Sequence, residues 1–322
     1  MDFEPHARSH PIPAPVTFHS ADGLRLSAQR LGPPSGPVLL AHGFGQTRQS
    51  WLGTQHQLAA AGYGTLAWDM RGHGESGRNL TSCPYQADQF VDDQLSACAQ
   101  LGGRPVLVGA SMGGLTGLLA QAHAAPYSAL VLVDITPRWE ASGMRRIHAF
   151  MSAFPDGFAS YAEAAQAISG YLPHRPALKT PAQLAHLLRC DPDARLRWHW
   201  DPRLLHEFVT DSEHLQDQVS NAATRIDVPV LLISGGRSDL VSRRTIEHFL
   251  GLVRHATHVE LPQATHMLAG DDNDSFSAAL LTYLRAHFPP SAACLNARDR
   301  SAHGARTARL PAAPDHFSGV VP

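Results

Sequence analysis

The sequence predicts an α/β protein with a mostly parallel, twisted sheet and helices on both of its faces. The first observation is a series of short apolar runs, which stand at residues 37–43, 64–69, 105–111, 130–135 and 229–235. They are apolar at successive positions, as in strands that are buried on both faces. The second observation is that segments with helical spacing separate the first four runs. Strand alternating with helix favours a parallel sheet with right-handed crossovers.

Further elements are predicted before and after these runs. Residues 16–32 alternate in polarity around an Asp22-Gly23 turn, which indicates an antiparallel hairpin leading into the sheet. After the last run, the pattern predicts a helix over 242–253, a strand over 257–262 and a closing helix over 274–288. The sheet is therefore expected to continue to the C-terminal part of the chain.

The long connection between the fourth and fifth runs predicts an insertion. It is far longer than a crossover helix requires, and its alanine-rich segments have helical spacing. Both ends of the chain are poor in large apolar residues, which favours disorder. The predicted divisions are a disordered N-terminal segment (1–15), the first part of the core (16–135), a helical lid (136–226), the second part of the core (227–288) and a disordered C-terminal tail (289–322).

Composition points to a small-molecule substrate. The formal net charge of −2 gives no reason to expect a nucleic acid or an anionic membrane as a partner. The four cysteines are far apart, and the 20 histidines form no recognisable ligand motif, so neither a metal nor a cofactor is expected. No apolar run is long enough for a membrane span, and no signal peptide is evident, which favours a cytoplasmic protein. The oligomeric state is not indicated.

Ser111 is the candidate nucleophile. It stands in Gly109-Ala110-Ser111-Met112-Gly113, a GxSxG pattern between a predicted strand and a predicted helix. Glycines let strand and helix approach closely around a strained turn that exposes the serine hydroxyl at the helix N-terminus. The pattern alone also fits a structural glycine-rich loop, but its position between strand and helix favours a nucleophile.

A serine nucleophile requires a base and an acid that orients the base. His266 follows the last predicted strand and is the candidate base. Asp239, in the Gly-rich loop after residues 229–235, is the preferred acid, and the order Ser111, Asp239, His266 is the one that this architecture requires. Asp134, at the end of the fourth run, is the alternative acid.

Oxyanion donors are predicted at two strand ends. The first apolar run ends in HGFG, where glycines allow a main-chain N–H to face the reacting carbonyl. We assign the two donors to the backbone N–H groups of Phe44 and Met112. Apolar side chains near these positions and in the predicted lid are expected to line the substrate pocket. They are Phe44, Trp198, Trp200 and Met267.

The segment DMRGHGES, residues 69–76, is interpreted as structural. Asp69, Arg71 and His73 are of types that perform acid and base chemistry, but an ion pair and glycines in such a loop more often hold a strand end in shape. His42 is likewise expected to be a packing and hydrogen-bonding residue behind the oxyanion loop, and not a base.

This ordered set of motifs resembles the α/β-hydrolase fold superfamily, in its branch of lid-containing serine hydrolases. The motifs are HGFG (42–45), DMRGHGES (69–76), GASMGG (109–114), GGRSD (235–239) and ATHM (264–267). The resemblance spans residues 16–288, with two departures: Thr265 stands where relatives usually have glycine, and the tail after Pro290 has no counterpart. Epoxide hydrolases and haloalkane dehalogenases are similar around HGF and DITP, but they place aspartate where Ser111 stands.

The residues and the resemblance together predict a serine hydrolase of a small, hydrophobic carboxylic ester or related acyl compound, acting through an acyl-enzyme. Three alternatives use the same three side chains: a carbon–carbon bond hydrolase, a cofactor-free perhydrolase and a lyase. Pocket shape distinguishes these reactions, and motifs do not reveal it. A ligand receptor that retains the hydrolase shape is a further alternative.

Overall fold

The computed structural model describes residues 11–171, 178–207, 212–266 and 274–290. The strands are β1 (Ala14–His19), β2 (Arg25–Leu31), β3 (Val38–Ala41), β4 (Thr65–Trp68), β5 (Val106–Ala110), β6 (Ala129–Val133), β7 (Leu188–Cys190), β8 (Leu196–Trp198), β9 (Val230–Gly235) and β10 (Thr257–Leu261). The helices are α1 (Leu52–Ala60), α2 (Ala87–Ala99), α3 (Met112–Ala124), α4 (Ala141–Ser152), α5 (Tyr161–Tyr171), α6 (Pro181–Leu184), α7 (Leu204–Glu207), α8 (Ser212–Ala223), α9 (Arg243–Leu252) and α10 (Asp274–His287). A short 3₁₀ turn, Arg48–Trp51, precedes α1.

Eight of these strands form one sheet, in the order β1-β2-β4-β3-β5-β6-β9-β10. β1 and β2 pair antiparallel, β2 pairs antiparallel with β4, and every later pairing is parallel. The predicted hairpin and the mostly parallel sheet are thus confirmed. β1 begins at Ala14, so the predicted disordered segment 1–15 is wrong at its last two residues. Residues 1–10 and the tail from 291 lie outside the described residues.

The central strands are apolar at successive positions because both of their faces are covered. Along β3, Leu39 belongs to the core on one face of the sheet, and Val38 and Leu40 belong to the core on the other. β5 alternates in the same way, with Leu107 on the first face and Val108 on the second. Side chains of a strand alternate between its faces, so a strand covered on both sides has no polar positions. The α/β class prediction is confirmed.

Residues 136–226, between β6 and β9, are called here the insertion and contain α4 to α8 and the β7–β8 hairpin. It has a small apolar core of its own, which includes Phe158, Ile168, Leu184 and Leu196. The prediction of helices alone is wrong at residues 188–198. α6 ends at Leu184, and the chain then forms two antiparallel strands joined by a turn.

Within the described ranges, the structure contains no helix that combines the length and the apolar character needed to cross a bilayer.

Candidate active site

Ser111 occupies a strained turn between β5 and α3. Its backbone has φ 46° and ψ −115°, a region that residues with a side chain seldom adopt. Its N–H donates to the carbonyl of Val133 at 3.1 Å, and its own carbonyl accepts from the N–H groups of Gly114 and Leu115 in the first turn of α3. These three bonds hold the turn, so the serine side chain is placed at the carboxyl end of the sheet and at a helix N-terminus.

Two glycines make this turn possible by allowing close backbone approach. A Cβ on Gly109 would lie 2.6 Å from the carbonyl oxygen of Gly113, and a Cβ on Gly113 would lie 2.5 Å from the carbonyl oxygen of Ala41. Both distances are far below van der Waals contact. The small residues of the GxSxG pattern are therefore required by packing, as the motif predicts.

His266 follows β10 and lies beside Asp134, which follows β6. The ring Nδ1 of His266 lies 2.8 Å from a carboxylate oxygen of Asp134. Asp134 is fully buried, and its carboxylate also accepts hydrogen bonds from the N–H of Gly235, at 2.8 Å, and from the hydroxyl of Ser238. A buried carboxylate with three donors is well satisfied. The Nδ1 of His266 is therefore assigned as the donor, which leaves Nε2 unprotonated in the neutral ring.

Asp239 does not contact His266, so the preferred pairing from the sequence is wrong and the alternative, Asp134, takes its place. The Asp239 carboxylate lies 3.1 Å from Nη1 of Arg146 on α4, in a partly exposed ion pair. The preceding residue, Ser238, donates its hydroxyl to Asp134. The Gly-rich loop after β9 therefore supports the acid at the end of β6, and Asp239 faces the insertion.

The oxyanion loop lies directly beside Ser111. A Cβ on Gly43 would be 3.2 Å from Cβ of Ser111, so this position has no room for a larger residue without displacement. The Gly43 carbonyl accepts two hydrogen bonds, from Nδ1–H of His42 at 2.8 Å and from the N–H of Gln46 at 3.1 Å. In a trans peptide the N–H points opposite to the carbonyl, so the Phe44 N–H is directed away from those two donors.

His42 is held as one neutral tautomer. Its Nε2 accepts from the N–H of Met70 at 2.9 Å, which leaves Nδ1 protonated to donate to Gly43. The ring is fully buried, and burial lowers the pKa of His42 below its ordinary value. This geometry agrees with the interpretation of His42 as a hydrogen-bonding residue behind the oxyanion loop.

Two more buried histidines extend this arrangement towards the insertion. His73 accepts from the N–H of Gly45 at 3.2 Å, and His199, just after β8, accepts from the N–H of Gly74 at 2.9 Å. Burial lowers the pKa of His73 well below its ordinary value and that of His199 to about 3. All three rings are therefore neutral near pH 7.

The other charged residues of the DMRGHGES segment have structural partners. Arg71 is 1 % exposed and makes two 2.6 Å hydrogen bonds to the carboxylate of Asp93. Asp69 accepts from the N–H of Glu75 at 3.0 Å, and a Cβ on Gly74 would collide with its carboxylate. These contacts fix the loop after β4 and agree with its structural interpretation.

Ser111 and His266 line a cavity of about 150 Å³ that is closed on one side by the insertion. Its lining is mainly apolar. The core contributes Gly43, Phe44, Gly45, Gln46, Ala110, Ser111, Met112, Leu115, Ile135 and His266. The insertion contributes Trp139, Met144, Ile147, His148, Phe150, Met151, Ile168, Tyr171, Lys179, Leu187, Trp198, Leu205 and Leu215.

The predicted pocket residues divide three ways. Phe44 and Trp198 line the cavity. Trp200 does not: it is buried and packs against Phe44, with ring centroids 5.2 Å apart, so its predicted place in the pocket wall is wrong. Trp200 supports the wall from behind. Met267 lies outside the described residues.

The model of the family described as serine aminopeptidase, S33, matches residues 32–273. The chain belongs to this family. It is a hydrolase with the α/β-hydrolase fold.

Two curated relatives of this S33-family chain are named as hydrolases. The 3-hydroxybutyrate-oligomer hydrolase of Cupriavidus necator is 29% identical over 258 residues, which cover 75% of this chain and 87% of that protein. Epoxide hydrolase A of Mycobacterium tuberculosis is 32% identical over 139 residues, which cover 42% of this chain and 43% of that protein.

Solved structures agree on the fold. E-2-(acetamidomethylene)succinate hydrolase superposes with a TM-score of 0.73 at 22% identity, over 85% of this chain and 99% of that one. An esterase from Mycobacterium tuberculosis superposes with a TM-score of 0.64 at 24% identity, over 85% of this chain and 92% of that one.

Most of the insertion residues that line the cavity of the S33-family chain were not predicted from the sequence. For α4, a signal was present: Met144, Ile147 and Met151 follow the i, i+3, i+7 spacing of one helix face. That spacing predicts an apolar face without saying what it covers. For Lys179, in the segment before α6, no pattern marked its position in the wall.

Proposed function

We propose that this chain is a serine hydrolase that cleaves small, hydrophobic carboxylic esters or related acyl compounds through an acyl-enzyme. The observation that carries the proposal is that Ser111, on its strained turn, lines the same cavity as His266, whose Nδ1 lies 2.8 Å from the buried Asp134 carboxylate. Nucleophile, base and orienting acid are the three groups that acyl transfer by serine requires.

In the proposed first step, Ser111 Oγ attacks the ester carbonyl and Nε2 of His266 takes the hydroxyl proton. Asp134 holds the ring in the tautomer that leaves Nε2 free to accept, and it stabilises the imidazolium that forms. His266 then returns the proton to the leaving alcohol. Water attacks the acyl-enzyme with His266 as base again, and the acid product leaves.

The N–H groups of Phe44 and Met112 are the proposed oxyanion donors. Within the described residues, neither N–H donates to a protein acceptor. The Met112 N–H is the first of α3, where the helix dipole favours negative charge. Preorganised donors of this type are worth roughly 10²- to 10³-fold in kcat each.

The cavity supports a short, apolar acyl group. A cavity of about 150 Å³ is the size that admits one benzene-sized group, which corresponds to a short acyl chain. The relative from Cupriavidus necator is named for the hydrolysis of 3-hydroxybutyrate oligomers, whose repeating unit is a short hydroxyacyl ester. That relative supports the choice of short esters over long-chain lipids.

Active-site labelling tests the proposal. We expect a fluorophosphonate probe to label the wild-type protein and not Ser111→Ala, and we expect 4-nitrophenyl acetate and butyrate to be hydrolysed by the wild type alone. Ser128→Ala, at a serine remote from the motif, serves as the matched control and should label like the wild type. Equal labelling of Ser111→Ala would overturn the nucleophile assignment.

A further inference from the structure

Among the described residues of the cavity wall, Lys179 of the insertion is the one lysine or arginine. It is 9 % exposed and lines the same cavity as Ser111. It is also the only lysine in the 322-residue sequence. In the proposed mechanism Lys179 has no part, because proton transfer is assigned to His266.

The charge of the lining is one-sided. The ionisable side chains among the described lining residues are His148, Tyr171, Lys179 and His266, and this set includes no aspartate or glutamate. An anionic ligand in this cavity would be attracted by Lys179 and would meet no carboxylate among the lining residues that the structure describes.

We propose that Lys179 binds a carboxylate of the substrate, so that the preferred substrate is a short ester carrying a free carboxylate, such as an acylated hydroxycarboxylic acid. This inference rests on the proposed function and specifies its substrate class. An ammonium group has three donor hydrogens, so a substrate carboxylate can be one of several partners of Lys179.

The placement of the two groups gives the ion pair an orienting role. Ser111 belongs to the core and Lys179 to the insertion, and the apolar side chains of Met144 and Ile147 belong to the same wall. A substrate with an ester at one end and a carboxylate at the other would be held at both ends, with its hydrocarbon part against the apolar lining. The ester carbonyl would then be positioned by binding energy from a remote group.

A matched pair of substrates tests the charge preference. We compare hydrolysis of 3-acetoxybutanoate and 3-acetoxybutanamide at pH 7.5, since the two differ only in the charge of the group remote from the scissile ester. For the wild type, kcat/KM is expected to be at least tenfold higher for the carboxylate. In Lys179→Met, kcat/KM for the carboxylate should fall at least tenfold, mainly through KM, and kcat/KM for the amide should stay within threefold.

Two further variants distinguish recognition of the substrate carboxylate from a general effect of substitution on activity. Lys179→Arg keeps the charge and should retain part of the preference. Arg243→Met removes an exposed cation from α9, outside the cavity lining, and should leave the preference unchanged. An equal loss on both substrates in Lys179→Met, or a wild type without preference, would overturn the inference. The amide reports on the hydrolase activity itself, so failure of the proposed function is seen separately as loss of turnover of both substrates and of Ser111 labelling.

Binding can be measured without turnover. Because the chain has a single lysine, protein grown with [ε-¹³C]lysine gives one resonance, assigned by its absence in Lys179→Arg. The product analogue 3-hydroxybutanoate should shift this resonance saturably, and 3-hydroxybutanamide should not. No shift with the carboxylate, or equal shifts with both compounds, would contradict carboxylate binding even if the chain proved not to be an esterase.

Discussion

Asp134 combines a left-handed backbone with a buried carboxylate. Its φ is 47°, and aspartate is one of the few residue types that adopt this region readily. The strain turns the side chain towards the loop after β9, where Gly235 and Ser238 donate to it, and towards His266. Three donors on one carboxylate fix its orientation.

The first prediction concerns this acid. Asp134→Asn should lower kcat for 4-nitrophenyl butyrate by about 10³- to 10⁴-fold, because an amide favours the wrong tautomer of the histidine. Asp239→Asn removes a carboxylate paired with Arg146 and should change kcat less than about threefold. Steady-state kinetics of both variants, with melting temperatures as a check on folding, give the answer. A larger loss of kcat in Asp239→Asn than in Asp134→Asn would show that the acid is Asp239, in the loop after β9.

The second prediction concerns His42, a positioning residue. His42→Ala removes the donor that holds the Gly43 carbonyl, so the Phe44 N–H is no longer fixed, and kcat should fall by roughly 10²-fold with KM within threefold. His42→Asn places an amide donor near the former Nδ1 and should recover part of kcat. If KM rises and kcat is unchanged, or if Asn gives no recovery, His42 does not position the oxyanion donor.

Residue types and spacing pointed to Ser111 and His266 as nucleophile and base, and they left two candidates for the acid. Asp134 and Asp239 both follow strands whose carboxyl ends meet at the same edge of the sheet. Which carboxylate faces His266 depends on the backbone angles of two loops, and a left-handed aspartate has no signature in a single sequence. The Gly-rich form of residues 235–239 correctly predicted a tight loop. It wrongly favoured Asp239 as the acid that pairs with His266.

At the scale of elements, α4 covers the cavity with one face. Met151 lies close enough to the oxyanion loop that a Cβ on Gly45 would be 2.3 Å from its Cε. Arg145, on the exposed side of the same helix, does not line the cavity. Under the proposed function, a helix of the insertion therefore sets part of the limit on acyl-chain length.

The third prediction tests this role of α4. Met151→Ala should increase kcat/KM for 4-nitrophenyl octanoate relative to the acetate by roughly tenfold, because removing the thioether makes room for a few carbons. Arg145→Ala is the matched control on the other face and should leave the ratio unchanged. A ratio that moves equally in both variants would show that α4 does not limit chain length.

Strands that are buried along their whole length could be predicted from the sequence. β3, β5, β6 and β9 are short apolar runs because helices cover both faces of the sheet, and this leaves a clear pattern. The β7–β8 hairpin was missed, since leucine and alanine before it favour a helix locally and tertiary packing in the insertion decides otherwise. The position of Lys179 depends on the same packing and so could not be derived from spacing.

At the scale of the whole molecule, buried neutral histidines connect the insertion to the core. The Nδ1 of His199 accepts from the N–H of Gly74 in the loop after β4, and the backbone carbonyl of His199 accepts from the guanidinium of Arg78. Two residues on, the N–H of Asp201 donates to the carbonyl of Gly72 at 2.7 Å. The rings of His42, His73 and His199 follow one another at centroid distances of 5.1 and 6.3 Å. Docking of the insertion therefore depends on uncharged imidazoles.

The fourth prediction is a pH dependence of stability. Burial depresses the pKa of these histidines in the folded state, so their contribution is complete above the unfolded pKa of about 6.5 and is lost as pH falls towards the folded pKa, about 3 for His199. From pH 7 to pH 5, His199 alone should cost about 2 kcal/mol of the free energy of unfolding. His199→Asn keeps an acceptor for the N–H of Gly74, and its free energy of unfolding should fall by correspondingly less between pH 7 and pH 5. Denaturant titrations at both pH values measure the difference, and identical losses in the two proteins would exclude the effect.

The proposed function requires that an acyl-enzyme forms on Ser111. The most direct measurement is mass spectrometry of the protein quenched in acid during turnover of 4-nitrophenyl butyrate, followed by proteolysis and peptide sequencing. The proposed function predicts one butyryl group on the peptide that carries Ser111 and no adduct in Ser111→Ala. Turnover with no acyl group on Ser111, or with the group on another residue, would contradict it.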